Sequence, residues 1–215
     1  MPSLVFFTAS WCGPCKLMTR VTLTDPTVTC EISNVAHVAM DIDEHQDLAS
    51  KYSIDAVPTF VLLSSTAEEV NRTTGFQLPG DFLTWLTNGI TEAKETTVRR
   101  ARSQQLLAEV DQMLAATDTN STRLAATKLF ELSTVHEDDV VQAAAVRLKM
   151  LASRDPEAVL DGLNDMRLAP RIQAANALRD SLGNAFDIDP WADATIRMKA
   201  IEVWRRKLQR PPHVP

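Results

Sequence analysis

The chain changes its hydrophobic period once. Up to about Gly89, short apolar runs of strand length alternate with amphipathic stretches, the pattern of an α/β layer fold. Leu4–Ala9 reads as a strand, followed by a helix from about Gly13 to Val21 and a loop holding Asp25-Pro26. A short helix near Val28–Ile32 leads to a strand at Val35–Met40, which ends at Asp41-Ile42-Asp43. Gln46–Tyr52 reads as a short helix and Thr59–Leu63 as a buried strand. Glu69–Thr74 is its hairpin partner, stopped by Gly75, and Pro79–Leu86 opens the last helix of this part.

From Thr96 onward the strand signal disappears and a helical period takes over. Leu106, Leu107, Val110, Met113 and Leu114 share one face. The spacing recurs at Leu124, Lys128, Leu129 and Leu132, at Val141, Ala144, Ala145, Leu148 and Leu151, and at Ile172, Ala175, Leu178 and Leu182. Asp155-Pro156-Glu157 and Asp189-Pro190-Trp191 each place a capping carboxylate before a proline suited to the first helical position. Asn120-Ser121 and Gly183-Asn184 supply other breaks. The expected organisation is an α/β domain over 1–92 and an all-helical domain over 96–215. Ala158–Leu182 has a short helix, an Asn164-Asp165 turn and a second, alanine-rich helix with Arg171 near its start, and resembles a HEAT repeat. Tetratricopeptide-like and irregular helical packing fit the same pattern.

Charge divides along the same line. Residues 1–93 hold 4 basic and 11 acidic side chains against 18 and 17 over 94–215, within a net charge of −6. An acidic first domain argues against nucleic acid as its ligand. No segment reaches the roughly 20 apolar residues a spanning helix needs, and the N-terminal run lacks a basic lead and a cleavage site. The expectation is a soluble cytoplasmic protein without membrane insertion, or a periplasmic one if a signal peptide lies upstream.

The strongest chemical signal is Trp11-Cys12-Gly13-Pro14-Cys15, set directly after the first strand. Two cysteines three positions apart in the first turn of a helix face the same side, so their sulfurs can close a small reversible disulfide. Cys12 falls where unpaired N–H groups favour a thiolate, the nucleophile of disulfide exchange. Only Cys30 is left over, too few cysteines for a disulfide scaffold, and it reads as a small buried hydrophobe. A zinc site would need four ligands, and no second Cys/His pair follows at suitable spacing. No metal or separate cofactor is expected; the redox group is the Cys12–Cys15 disulfide itself.

Residues 1 to about 90 resemble the thioredoxin superfamily. Three features carry the likeness: Trp11 to Lys16, the Ala56-Val57-Pro58-Thr59 stretch before a buried strand, and Gly75 after the hairpin. The segment Thr22–Val28 is similar to the thioredoxin-like domain of membrane thiol:disulfide interchange reductases. The resemblance implies a minimal thioredoxin-like fold that lacks the extra N-terminal strand and helix of ordinary members, or a truncated start. It also implies a cis peptide at Pro58 facing the dithiol, which keeps stray metals away, and a Val57 backbone that pairs with an extended substrate. Trp11 would give an apolar shoulder, Pro14 would hold the turn, and Gly13 and Lys16 complete the motif. Expected partners are proteins bearing disulfides and an upstream electron donor such as a thioredoxin reductase or a membrane reductase.

Two positions depart from the superfamily. Phe6 stands where a buried aspartate usually relays the proton of the second cysteine, and Ala39 where a lysine often accompanies it. Losing that relay raises the cost of ionising Cys15 in an apolar setting. The leading expectation is a protein-disulfide reductase whose helical region selects partners. The alternative is a chaperedoxin-like client-binding protein in which the dithiol only protects or traps client cysteines.

Other chemistry reads as structural. His37, His45, His136 and His213 form no motif, Asp41 and Asp43 read as caps of the following helix, and Trp191 and Trp204 as helical core anchors. The runs Arg99-Arg100-Ala101-Arg102 and Arg205-Arg206-Lys207 read as solvated helix faces.

Overall fold

The computed structural model describes residues 1–116 and 118–209, without the side chain of residue 184. His213 lies outside the described residues. The chain divides into two compact units between Arg99 and Arg100.

In the first unit, β1 (Ser3–Thr8), β2 (Ala36–Asp41), β3 (Thr59–Leu63) and β4 (Glu69–Thr74) form one sheet in the order β2-β1-β3-β4. β1 runs parallel to β2 and antiparallel to β3, which pairs antiparallel with β4. Successive side chains of β1 go to opposite faces. Leu4 and Phe6 join Phe60, Leu62, Met18, Phe82 and Leu86 on one face. Val5 and Phe7 join Val61 and Leu63 on the other, closed by Met40, Leu48, Tyr52 and Ile54. Both faces are covered, which is why β1 and β3 read as apolar runs and not as alternating ones.

The crossover from β1 to β2 carries α1 (Gly13–Leu17), a π turn (Met18–Thr22) and α2 (Pro26–Ile32). The single helix expected over Gly13–Val21 is thus interrupted after Leu17. The Thr19 hydroxyl takes the Cys15 carbonyl at 3.1 Å, and Leu23 N–H reaches back five residues to Met18, the spacing of a π turn. Asp25 then accepts from Thr27 N–H and Val28 N–H, and Pro26 fills the first helical position, so α2 starts two residues ahead of expectation. α3 (Gln46–Lys51) links β2 to β3. After β4, Gly75 sits at φ +89°, a left-handed conformation that a side chain would strain. α4 (Pro79–Ala115) is 37 residues long and runs through residues 93–95, where the sequence suggested a boundary.

The second unit is helical. α5 (Thr119–Leu132), α6 (Asp138–Arg154), α7 (Pro156–Leu160), α8 (Leu168–Leu182) and α9 (Ala194–Leu208) follow in order, with single-turn 3-10 segments at Asp161–Asn164 and Gly183–Ala185. α6 packs on both α5 and α8. Its core gathers Leu129, Leu132, Leu148, Leu151, Leu160, Leu178, Phe186 and Trp204. A Cβ on Gly162 would fall 2.1 Å from the Phe130 ring, so the turn after α7 can lie on that ring only as glycine.

Capping explains where expectation and structure part. Asp155 caps α7 before Pro156 as expected, accepting from Ala158 N–H at 3.2 Å. Asp189 does not begin a helix: it accepts from Trp191 N–H within a turn, and α9 starts at Ala194 behind Asp193. Trp191 is therefore no core anchor and stays 65% exposed, while Trp204 is buried beside Phe186. Asn120 and Ser121 are not a break, because Asp118 captures the Ser121 N–H and hydroxyl and draws both residues into the first turn of α5.

Candidate redox site

The parallel pairing of β1 and β2 brings the loops after both strands to one end of the sheet, and the dithiol lies in the first of these loops. Ala9 accepts the N–H of Cys12 at 3.1 Å, and Cys12 takes the N-cap position of α1 with extended backbone (φ −77°, ψ 105°). Gly13 and Pro14 fill the first two helical positions. Cys15, one turn on, lies with its Cα 5.3 Å from that of Cys12, and the two sulfurs are bonded at 1.97 Å.

Two backbone groups converge on Cys12 Sγ. The N–H of Cys15 donates to it at 3.0 Å, and the carbonyl oxygen of Val57 lies 3.6 Å away. A donor aimed at sulfur favours the thiolate, while the carbonyl can accept from the thiol. Val57-Pro58 is a cis peptide. It is held by neighbours: Gly75 N–H donates to the Pro58 carbonyl at 2.7 Å, and the Thr59 hydroxyl lies 2.8 Å from the Ala56 carbonyl and 2.9 Å from the Thr74 hydroxyl.

Exposure differs sharply across the motif. Cys12 and Cys15 are only 3% and 2% exposed, whereas Trp11 keeps 65% of its surface and Gly13, Pro14 and Lys16 are exposed. The residues placed together are thus Trp11 through Cys15 with Val57 and Pro58. Lys16 stands on the outer side of α1 with no bond to the sulfurs.

Sequence reasoning missed Asp43. Its Oδ2 accepts the Trp11 indole N–H at 2.8 Å, so it orients the side chain beside the nucleophile and does not cap α3, which begins behind His45. Asp41 is no helix cap either; its Oδ1 accepts from Asp43 N–H and shapes the turn. The available signal was topological, since residues just past two parallel neighbouring strands must meet.

Below the disulfide the surroundings are apolar. Phe6 stacks on Phe60 with centroids 4.4 Å apart and rings nearly parallel, within the cluster that holds both cysteines. Ala39 lies opposite Phe6 in the β1–β2 register. The two departures from the superfamily pattern are therefore neighbours. Cys30 is exposed on α2, against expectation, because Val28 takes the inward position of that short helix. Among the described residues no group of three or more His, Cys, Asp or Glu side chains could hold a metal ion, and no helix is long and apolar enough to cross a membrane.

Residues 1–88 match the family model for thioredoxin. A thioredoxin from Rickettsia bellii (strain RML369-C) is 33% identical over 90 residues, covering 42% of this chain and 83% of its own length. An H-type thioredoxin from Fagopyrum esculentum is 39% identical over 75 residues, and this chain spans 59% of that protein's length. Among solved structures, a thioredoxin from Thermus thermophilus aligns with a TM-score of 0.40 and 28% identity, covering 43% of this chain and 75% of that one. The reduced C-terminal domain of DsbD from Neisseria meningitidis aligns with a TM-score of 0.38 and 26% identity, over 41% and 80% of the two chains.

Proposed function

The chain belongs to the thioredoxin family through its first 90 or so residues, and on that footing we propose that it reduces disulfide bonds in proteins. The observation that carries this reading is the convergence of the Cys15 N–H and the Val57 carbonyl on Cys12 Sγ.

In the reducing direction Cys12 acts as thiolate. It attacks one sulfur of a substrate disulfide, forming a mixed disulfide and releasing the other substrate sulfur as a thiolate that takes up a proton. Cys15 then loses its proton, attacks Cys12 Sγ and displaces the second substrate thiolate. The substrate gains two electrons and two protons, and the enzyme is left as the Cys12–Cys15 disulfide. A dithiol donor, a thioredoxin reductase or a membrane reductase, returns both. The backbone of half-buried Val57 beside Pro58 would hold the substrate as an extended strand, and Trp11 would cover its apolar flank.

With Phe6 below the disulfide, the proton of Cys15 leaves through water or a substrate carboxylate. This assigns the slow step to release and not to attack.

The reading is tested by the reduction potential of the Cys12–Cys15 couple, measured by equilibration with redox buffers and trapping of free thiols. Thioredoxin itself is established at roughly −270 mV and protein disulfide isomerase at roughly −180 mV. A value near the first, with disulfide reduction abolished by Cys12→Ser, is expected. A value near the second means a dithiol poised to oxidise or shuffle.

A second reading rests on the helical unit, whose Val146, Met150, Met166 and Ile196 are 58%, 65%, 95% and 61% exposed. Such side chains would suit partner or client binding, as in a chaperedoxin. It requires the full chain carrying Cys12→Ser and Cys15→Ser to suppress aggregation of an unfolded client; absence of suppression at equimolar chain rules it out.

A further inference from the structure

The loop that faces the dithiol is held from β4. Three successive carbonyls, those of Ala56, Val57 and Pro58, lead into β3, and each has its own partner. The Pro58 carbonyl accepts from Gly75 N–H at 2.7 Å. The Ala56 carbonyl accepts from the Thr59 hydroxyl at 2.8 Å, and that hydroxyl lies 2.9 Å from the hydroxyl of Thr74, its direct neighbour across the β3–β4 ladder. The Val57 carbonyl, between the two, lies 3.6 Å from Cys12 Sγ.

The contact between Thr59 and Thr74 has one direction. A hydroxyl carries a single proton, and a carbonyl oxygen can only accept. Thr59 gives its proton to Ala56, so the proton of the second bond comes from Thr74. Thr59 is 2% exposed, which keeps water from standing in for either partner. A chain of donors therefore runs from Thr74 through Thr59 to the Ala56 carbonyl, each bond polarising the next. Fixing a carbonyl fixes the peptide plane it belongs to. The planes after Ala56 and after Pro58 are both tied to β4, and the ring of Pro58 sets its own φ, so the plane between them has little room to turn. That plane carries the Val57 carbonyl.

We propose that Thr74 is a positioning residue for disulfide exchange: its hydroxyl, acting through Thr59, aims the Val57 carbonyl at Cys12 Sγ. This rests on the reading that Cys12 attacks a protein disulfide, with Val57 as the main-chain partner of the substrate strand. Aimed in this way, the carbonyl receives the proton of the Cys12 thiol and favours its neutral form; once free to turn, it ceases to do so. The same carbonyl is kept in place for the incoming strand. A β-branched residue present only for its fit to a pleated strand would be replaced equally well by valine. The hydroxyl is what separates the two roles.

The test compares three variants of the full-length chain with the wild type, each checked for folding by circular dichroism. Thr74→Val keeps the shape and removes the donor, Thr74→Ala removes it in a smaller side chain, and Thr74→Ser retains it. The first readout is the pH midpoint for alkylation of Cys12 by iodoacetamide in a Cys15→Ser background, followed on the Cys12 peptide by mass spectrometry so that Cys30 does not enter. The ionisable groups of the surrounding loops are the same in every variant: Lys16 after β1, Asp41, Asp43, Glu44 and His45 after β2, and Asp55 before Val57. Without the Thr74 donor the midpoint is expected to fall by about half a unit. The second readout is kcat/KM for disulfide reduction with Cys15 intact, expected to fall about five-fold, the effect of one hydrogen bond, while kcat holds because release sets it. Thr74→Ser restores both. A midpoint unmoved in the Val and Ala variants overturns the proposal, as does one moved equally in the Ser variant. A wild type that reduces no protein disulfide strikes the proposed function instead, and the alkylation midpoint then decides the role of Thr74 alone.

Discussion

The indole N–H of Trp11 donates to Oδ2 of Asp43 at 2.8 Å, tying the residue before the nucleophile to the loop after β2. Trp11 is 65% exposed, so the carboxylate fixes which way the ring lies without burying it. Asp43→Ala removes one hydrogen bond worth about 1 kcal/mol, and kcat/KM for disulfide reduction is expected to fall about five-fold. Asp43→Asn keeps an acceptor and most of the rate. Indole fluorescence anisotropy reports the freed ring, and an Ala variant with full activity would take ring orientation out of the mechanism.

Phe6 is the second lever. Phe6→Asp forfeits the stack on Phe60 and buries a carboxyl in an apolar cluster, at a cost of about 3 kcal/mol or more in denaturant unfolding. In the fraction that folds, the carboxylate can accept the Cys15 proton. Release of a mixed disulfide at neutral pH is then expected to accelerate, measured by stopped-flow mixing. No acceleration would mean that water already relays the proton without delay.

Packing in the helical unit turns on one missing side chain. Gly162→Ala drives a methyl to 2.1 Å of the Phe130 ring, whose edge cannot swing away as a flexible chain end could. Overpacking of this kind costs about 1–3 kcal/mol, read as a lower denaturant midpoint with unchanged slope. Pairing it with Phe130→Leu should recover part of the loss.

Asp25 gives the pH dependence a definite sign. The Thr27 hydroxyl, and next the Val28 N–H, hold its carboxyl below the ordinary value of 3.8 in the folded chain. A depressed folded-state value stabilises above the unfolded value and ceases to do so as pH falls through the folded one. The gap in melting temperature between wild type and Asp25→Ala is therefore expected to be constant above about pH 5 and to close below 3.8. A gap that persists at pH 2 would assign the effect to backbone propensity and not to the carboxylate.

Local patterns were legible wherever one chemistry decided the outcome. The dithiol, the buried run Phe60–Leu63 and the proline-led start of α7 all followed from the residues present. What escaped depended on contacts distant in sequence or on competition between neighbours. Asp43 looked like a cap because its real partner lies 32 residues away. The active-site helix looked continuous because nothing in its residues marks the π turn over Met18–Thr22, where Leu23 N–H reaches back to the Met18 carbonyl. Asp189 and Asp193 each accept the N–H two residues on, and nothing local says that Asp193 will win the helix start. Trp191 read as core because its spacing from Trp204 suits one helix face, yet it sits in a turn and stays 65% exposed.

The isolation of Cys30 divides the fate of the three sulfurs under oxidative stress. Peroxide converts a thiolate first to a sulfenic acid, whose fate is set by whether another thiol is in reach. At Cys12 the neighbour three residues on condenses with it, sheds water and restores the disulfide, so the pair absorbs the insult and returns to the catalytic cycle. Cys30 lies exposed on α2, outside the cluster that holds the pair, and no such rescue is at hand. Mass spectrometry of peroxide-treated chain should find two or three added oxygens on Cys30 while Cys12 and Cys15 carry none. The chain would thereby record its exposure history on a residue that takes no part in its turnover.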